Sequence, residues 1–300
     1  MEIIPVFPKF ATLNIGHKPL IDAYLKQANV RLSELNFTEI FAWHKIRDIM
    51  ITSHNGNICL YMNKSGKKYF YPPFGPHDPA KSVVSLLEWL AVEEPEAFFY
   101  CFDEEGAKAC EATGRLAAEE DRDNADYVYY REDLVTLAGR KYDGKRNHLK
   151  HFLRDNEFTF EPVTGVMVPE IIEFQQRWCE QRACEDDLSL INESKAMREV
   201  LDCWPMLDVF GAVIRIKGKI QAFTAASELN SDTAVVLFEK GNPEYRGIYQ
   251  AINQQFCGNM PEKFKWINRE QDAGDEGLRK AKLSYNPVRV EMKYVVRLRG

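Results

Sequence analysis

One order of secondary-structure signals runs along this chain twice, and that repetition limits its possible folds more than any single motif does. In the first half, helical periodicity over 19–28 and 33–43 leads to an apolar strand at 46–54. The turn Asn55-Gly56 follows, then a returning strand at 58–62. Both turn positions tolerate positive φ, so Asn-Gly between apolar runs is a strong hairpin signal. A third strand at 67–71 stops at Pro72-Pro73-Phe74-Gly75-Pro76. A helix at 79–91, a strand at 97–102, an acidic helix at 104–120 and a strand at 127–130 complete the half. The second half predicts helices at 168–183 and 193–203. A strand at 207–216 then turns at Lys217-Gly218-Lys219 and returns at 220–227. A strand at 233–238, a helix at 245–257, a strand at 264–268, a short helix at 275–283 and a last strand at 288–296 follow.

The spacing between the halves is nearly constant. Trp43 and Trp204 stand 161 residues apart, Gly56 and Gly218 162, and Phe98 and Phe264 166. Seven elements in one order at one offset predict a tandem duplication, with domains at 1–138 and 139–300. The alternative is one large mixed sheet whose halves look alike because helices and strands alternate. A length of 300 residues admits either.

Composition narrows the class. With 45% hydrophobic and 12% aromatic residues the chain can bury a sizeable core, and 17 Gly and 14 Pro without a period exclude a collagen-like repeat. The net charge of −6 excludes a surface that is basic throughout, though not a local basic groove. No apolar run reaches the roughly 18 residues of a membrane-spanning helix. Met1-Glu2-Ile3-Ile4-Pro5 lacks the basic and apolar regions of a secretory leader. The cysteines, at 59, 101, 110, 179, 184, 203 and 257, are odd in number and form no CxxC pair. A five-residue offset on one helix points the thiols of Cys179 and Cys184 apart. Free thiols and a cytoplasmic location are expected. His17, His44, His54 and His77 lack ligand spacing, so no metal site is expected. Trp43, Trp89 and Trp178 lie on apolar helical faces and are expected in the core.

Several segments carry a family resemblance across essentially the whole chain. They are Leu32-Ser33-Glu34-Leu35-Asn36-Phe37 with Trp43, Pro72-Pro73-Phe74-Gly75, and Tyr142-Asp143-Gly144-Lys145-Arg146-Asn147. In the second half they are the run from Tyr245 to Asn253, Asn268-Arg269-Glu270-Gln271-Asp272, and Gly277-Leu278-Arg279-Lys280-Ala281-Lys282. In these the sequence resembles uncharacterised bacterial proteins related to the C-terminal domain of phosphatidylglycerol lysyltransferase, with two GNAT-like domains. The resemblance implies an α+β fold: two tandem GNAT-like domains, each a mixed, mostly antiparallel sheet flanked by helices. It also implies a relation to aminoacyl-transfer enzymes.

Candidate chemistry concentrates in the second half. A strand-to-helix junction exposes unpaired N–H groups suited to a pyrophosphate. Arg246 and Gly247 stand at such a junction, with Gln250 one turn on. The other reading is that Gly247 only permits close packing and that Arg246 is a surface residue. The matching loop of the first half is proline-rich and donates few N–H groups, which points to the C-terminal copy as the active one. Glu270, or Glu239 at the end of the preceding strand, is the expected general base. Asn268 and Asp272 are expected to line the substrate cleft, with Asp272 a further candidate base. Tyr285 is expected to protonate the leaving group, as the resemblance to GNAT enzymes implies. Lys145 and Arg146 belong to a basic stretch from Arg140 to Arg154, which Lys280 and Lys282 extend, suited to a phosphate-bearing donor. The expectation is transfer of an activated acyl group, from acyl-CoA or aminoacyl-tRNA, to an amine or hydroxyl of a small molecule or peptide. No tightly bound cofactor is expected, and tRNA is a partner only on the aminoacyl-tRNA alternative for the donor. The alternative is a catalytically inactive GNAT-like module that binds a metabolite or RNA.

Overall fold

The computed structural model describes residues 3–64 and 66–299. In chain order the elements begin with β1 (Ala11–Thr12), α1 (Lys18–Ala28), α2 (Phe37–Trp43), β2 (Met50–His54), β3 (Asn57–Lys64) and β4 (Lys67–Phe70). There follow α3 (Pro79–Ala91), β5 (Phe98–Phe102), α4 (Glu104–Glu111), β6 (Leu116–Tyr130), α5 (Arg131–Thr136) and α6 (Asp143–Asp155). Next come β7 (Phe158–Pro162), α7 (Val168–Arg182), α8 (Leu188–Asp202), β8 (Val209–Ile216), β9 (Lys219–Asn230) and β10 (Thr233–Gly241). The chain ends with α9 (Ile248–Asn259), β11 (Trp266–Asn268), α10 (Glu276–Leu283) and β12 (Arg289–Leu298). The class is α+β.

The chain forms two compact units that are discontinuous in sequence. The first comprises Met1–Asp126, Gln271–Asp275 and Val290–Gly300; the second, Tyr127–Glu270 and Glu276–Arg289. The junction read from sequence, at 138/139, therefore falls inside the second unit.

In the first unit β1, β2, β3 and β4 form an antiparallel meander. The β2–β3 turn is Asn55-Gly56, with φ of 50° and 77° as the hairpin signal requires. Helix α3 crosses over to β5, which lies parallel to β4, and β12 pairs antiparallel with β5. Asp78 caps α3 by accepting the Ala80 N–H, and Pro79 supplies its pre-set φ at the first helical position. The apolar face of α3, with Val83, Leu86, Leu87 and Leu90, packs on Phe70, Phe99, Phe102 and Val296 of the sheet.

A cluster of buried charge lies in the same unit. Lys293, fully buried on β12, places its ammonium 2.5 Å from Glu34 and 2.7 Å from Asp126. The Ser33 hydroxyl and backbone N–H both donate to Asp126, at 2.9 and 2.7 Å. Tyr100 and Cys101 donate to Glu34 at 3.0 and 3.4 Å. Nearby on α2, burial pushes the Glu39 carboxyl up to about 7, with Arg47 opposing.

The second unit holds an antiparallel meander of β7, β8, β9 and β10. Helix α9 crosses over to β11, parallel to β10, and β11 pairs antiparallel with the end of β6. The Lys217-Gly218 turn has φ of 51° and 75°.

Three expectations are corrected. The acidic helix over 104–120 is α4 only to Glu111. Gly114 at φ 73° breaks it, and β6 runs from Leu116, so strand pairing overrides the polar, poorly β-forming composition. Helix α7 ends at Arg182 and Ala183 turns left-handed, which returns Cys184 to hydrogen-bond contact with Cys179. Trp89 is 38% exposed and packs against Phe7 and Phe10 at the sheet margin.

Lys293→Met is expected to strand two buried carboxylates and to lower stability by about 3–5 kcal/mol, read as an earlier urea unfolding midpoint. Glu39 gives a pH signature. Its carboxyl ordinarily ionises at 4.5 and in the folded chain holds its proton to about 7. The folded state binds the extra proton across that window. This group's stabilisation is therefore complete below 4.5 and is lost as pH rises through about 7. The fall should disappear in Glu39→Gln when the two proteins are unfolded in urea at stepped pH.

Candidate functional site

The site of the second unit starts with a carboxylate at the end of an apolar strand. β10 reads Thr-Ala-Val-Val-Leu-Phe-Glu-Lys-Gly, and its register with β9 shifts between Val236 and Phe238. Past that bulge, successive side chains point to opposite faces. Lys240 meets Glu193 of α8 at 2.5 Å and the Trp178 ring of α7 at 4.1 Å. Glu239 turns the other way, toward α9. Its Oε1 accepts from Arg269 at 2.9 Å and its Oε2 from Asn253 of α9 at 3.4 Å.

Arg269 sits just past β11. Its guanidinium lies 5.0 Å from the centroid of the Tyr285 ring and 5.8 Å from that of Tyr129. Lys145 of α6 holds its Nζ 4.0 Å from the same Tyr285 centroid. Two cations thus bear on one ring, whose quadrupole attracts both. The Gln250 side chain hydrogen-bonds Tyr285. Burial raises the Tyr285 phenol to about 12, and burial with the charge of Arg269 lowers Lys145 to about 8. Burial likewise raises the Tyr129 phenol. Backbone contacts brace the cluster. Tyr142 donates to the Tyr285 carbonyl at 3.0 Å, Tyr129 to that of Lys282 at 2.9 Å, and Lys282 to those of Arg269 and Glu270.

Of the residues expected from sequence, Glu239, Tyr285, Gln250 and Lys145 come together here. Lys282 stands behind them, its ammonium engaged with backbone. Glu270, at φ 58°, accepts the Tyr127 N–H on its carbonyl, and its own N–H donates to the Asn268 side chain at 2.8 Å. Asn268 is fully buried in that turn. Asp272 belongs to the first unit. It is fully buried, accepts the Gly274 N–H at 2.9 Å and lies 3.6 Å from Arg122. Arg146 donates to the Leu137 and Gly139 carbonyls after α5 and pairs with Asp143. Lys280 and Arg246 are exposed.

Gly247 has φ 88°, and a Cβ there would stand 2.2 Å from the His148 carbonyl oxygen of α6. Close approach of α6 and α9 therefore accounts for this glycine. Sequence reasoning missed Arg269, Asn253 and Tyr129 as members of the site. One signal was available: a Glu inside an otherwise apolar strand needs a cation within reach when it is buried.

The family model for the phosphatidylglycerol lysyltransferase C-terminal domain matches residues 26–297. The chain belongs to this family. Among solved structures, one of a conserved protein of unknown function from Bacteroides thetaiotaomicron VPI-5482 is 30% identical. That match covers 99% of this chain and 100% of the other, with a TM-score of 0.90. The L-PGS of Bacillus licheniformis is similar in fold at 16% identity, covering 99% and 94% of the two chains with a TM-score of 0.62. The uncharacterised protein MYCGA3080 of Mycoplasmoides gallisepticum is 22% identical over 177 residues, which is 58% of this chain and 56% of that protein. The chain thus matches little more than half the length of that curated relative. FemX, at 9% identity over 96% of both chains, and a tandem GNAT protein of clavulanic acid biosynthesis, at 10% over 97% and 98%, share the fold with TM-scores of 0.56 and 0.55. The fold of this family member is therefore GNAT-like. Among the described residues no helix is long and apolar enough to cross a membrane.

Gly247→Ala is expected to force α6 away from α9 and to cost about 2 kcal/mol or more, from left-handed backbone strain and the carbonyl clash together. Urea unfolding would measure it, and an unchanged midpoint would show that the helices tolerate a methyl group there.

Proposed function

We propose that the second unit transfers an acyl or aminoacyl group from an activated donor, acyl-CoA or aminoacyl-tRNA, to an amine or hydroxyl acceptor. The observation that carries this reading is the cluster Glu239–Arg269–Tyr285–Lys145 at the ends of β10 and β11. Its charged side chains are largely withdrawn from water, yet Lys145 and Gln250 remain half-exposed.

The roles follow from how each group is engaged. Both Glu239 oxygens are already bonded, so its carboxylate suits binding and orienting a cationic amine better than shuttling a proton. Glu270, whose backbone is tied into the turn at Asn268, is the alternative carboxylate. Lys145, at about 8, is neutral in an appreciable fraction near physiological pH. It accepts the acceptor's proton as the new bond to the acyl carbon forms. Tyr285 keeps its phenolic proton until about 12 and donates it to the leaving atom as the donor's ester or thioester bond breaks. Lys145 then returns its proton to the phenolate. Arg269 stabilises the negative charge that develops on the substrate meanwhile.

A phosphate-bearing donor would meet Arg246, Lys150 and the histidines of α6. The charge of Arg246 acts on both His148 and Asp155, which places it along that helix. Lys280 is a further exposed cation for the donor. Seven free thiols support a reducing, cytoplasmic setting.

A second reading, binding without turnover, draws on Gly247, whose glycine requirement is met by packing alone. Purified protein given labelled acyl-CoA and aminoacyl-tRNA with a panel of amine and hydroxyl acceptors separates the two. Turnover is expected with one donor, with a rate that climbs with pH to a midpoint near 8. Lys145→Met and Tyr285→Phe should each cost about 100-fold. Binding lost in Arg246→Ala without any turnover would favour the second reading, and a steep salt dependence would name RNA. Neither binding nor turnover would overturn both.

A further inference from the structure

Helix α7 ends on a left-handed residue that is not glycine. Ala183 has φ 50° and ψ 48°, and its N–H donates to the carbonyls of Cys179 and Glu180. A helix closed in this way sets the side chain after the left-handed residue against the one four positions before it, and that pair is ordinarily apolar. Here the two positions hold Cys184 and Cys179, and their thiols are in hydrogen-bond contact. The backbone turn therefore fixes the contact, which an unbroken helix would not make.

The two thiols differ in setting. Cys179 is half-buried and keeps part of its surface in solvent, and the Gln175 Nε2 donates to its Sγ at 3.5 Å. Cys184 is 5% exposed. Burial pushes its thiol up to about 12; Cys179 and Glu193 act in the same direction, and Lys240 opposes them. Cys184 therefore holds its proton near neutrality. Among the described residues no third side chain joins the pair to make a metal site. Cys59, Cys101, Cys110 and Cys257 are buried.

We propose that Cys179 and Cys184 are a reversible redox pair, which a hydroperoxide converts to a disulfide. The Cys179 sulfur attacks one peroxide oxygen, the O–O bond breaks, and the departing oxygen leaves protonated. Cys179 is then a sulfenic acid. The Cys184 sulfur displaces its hydroxyl, which takes the Cys184 proton and leaves as water. With hydrogen peroxide, two thiols thus give one disulfide and two waters, and a thiol reductant reverses the change. The bond ties the last turn of α7 to the turn after it. Glu239, Arg269, Tyr285 and Lys145 take no part, so the pair stands apart from the proposed transfer.

Peptide mapping of the full chain tests it: exposure to hydrogen peroxide, alkylation of the remaining thiols, then trypsin without reductant. Cleavage after Arg177, Arg182 and Lys195 places the two cysteines on separate peptides, 178–182 and 183–195. These peptides are expected joined to one another and parted by dithiothreitol. Cys184→Ser should lose the link and leave on Cys179 a sulfenic acid that dimedone labels. Cys179→Ser should lose the link and leave Cys184 alkylated as a free thiol. Should Cys184→Ser fail to fold, the wild-type map and the half-buried Cys179→Ser still decide the matter. Recovery of both wild-type cysteines as alkylated thiols, or of either joined to a different cysteine, would overturn the assignment. So would dimedone labelling of Cys184 in Cys179→Ser.

Discussion

A lysine ammonium with no exposed surface is the contact around which the first unit is built. Lys293 arrives on the last strand, more than 250 residues after Ser33 and Glu34, and meets Glu34 and Asp126 inside the protein. Removing one ammonium and two carboxylates from water costs several kcal/mol per ion, and only near-ideal geometry offsets it. Here Ser33, Tyr100 and Cys101 satisfy the remaining oxygens. A slip of β12 by one residue would turn Lys293 to the opposite face and leave both carboxylates buried without it. The cluster therefore sets the register of the strand as well as binding it.

The second unit solves a related problem more openly. Glu239 and Arg269 neutralise one another, and Tyr285 lies against Arg269 and Lys145 together. Like charge and desolvation both act on Lys145, the one amine of the cluster whose proton is readily exchanged near neutrality. The contrast between the units is one of access. In the first, Glu34, Asp126 and Lys293 are at most 2% exposed, and their oxygens and ammonium are engaged by one another and by Ser33, Tyr100 and Cys101. In the second, Lys145 and Gln250 still reach solvent, so a substrate can add its own contacts to the array.

Close helix packing supports that array. Gly247 lets α9 come against the His148 carbonyl, and this approach brings Lys145 of α6 over Tyr285, close to Gln250 of α9. Arg131 holds the carbonyls of Cys257 and Met260 at the far end of α9, at 2.6 and 3.1 Å, so both ends of the crossover helix are tied. Arg146 closes the loop between α5 and α6 through the Leu137 and Gly139 carbonyls. The sequence marks Arg146 as a phosphate ligand by its place in a basic stretch; the fold engages that charge with backbone carbonyls and with Asp143.

Local signals in the sequence determined much of the architecture. Asn55-Gly56 and Lys217-Gly218 specified their hairpins, because few residue pairs accept positive φ twice in succession. Apolar periodicity specified α3 and α9 and the strands on either side of each. The residues at the ends of β10 and β11 stand out in the sequence by their polarity. Tertiary structure alone decided which of them meet. Burial of Glu239 selected Arg269 and Asn253 as its partners, and the turn at Ala183 returned Cys184 to Cys179. The length of β6 and the place of Lys293 depended on strands distant in the chain. Propensity and periodicity act over a few residues, whereas ion pairing, strand register and the cost of buried charge act between segments that only the fold brings together.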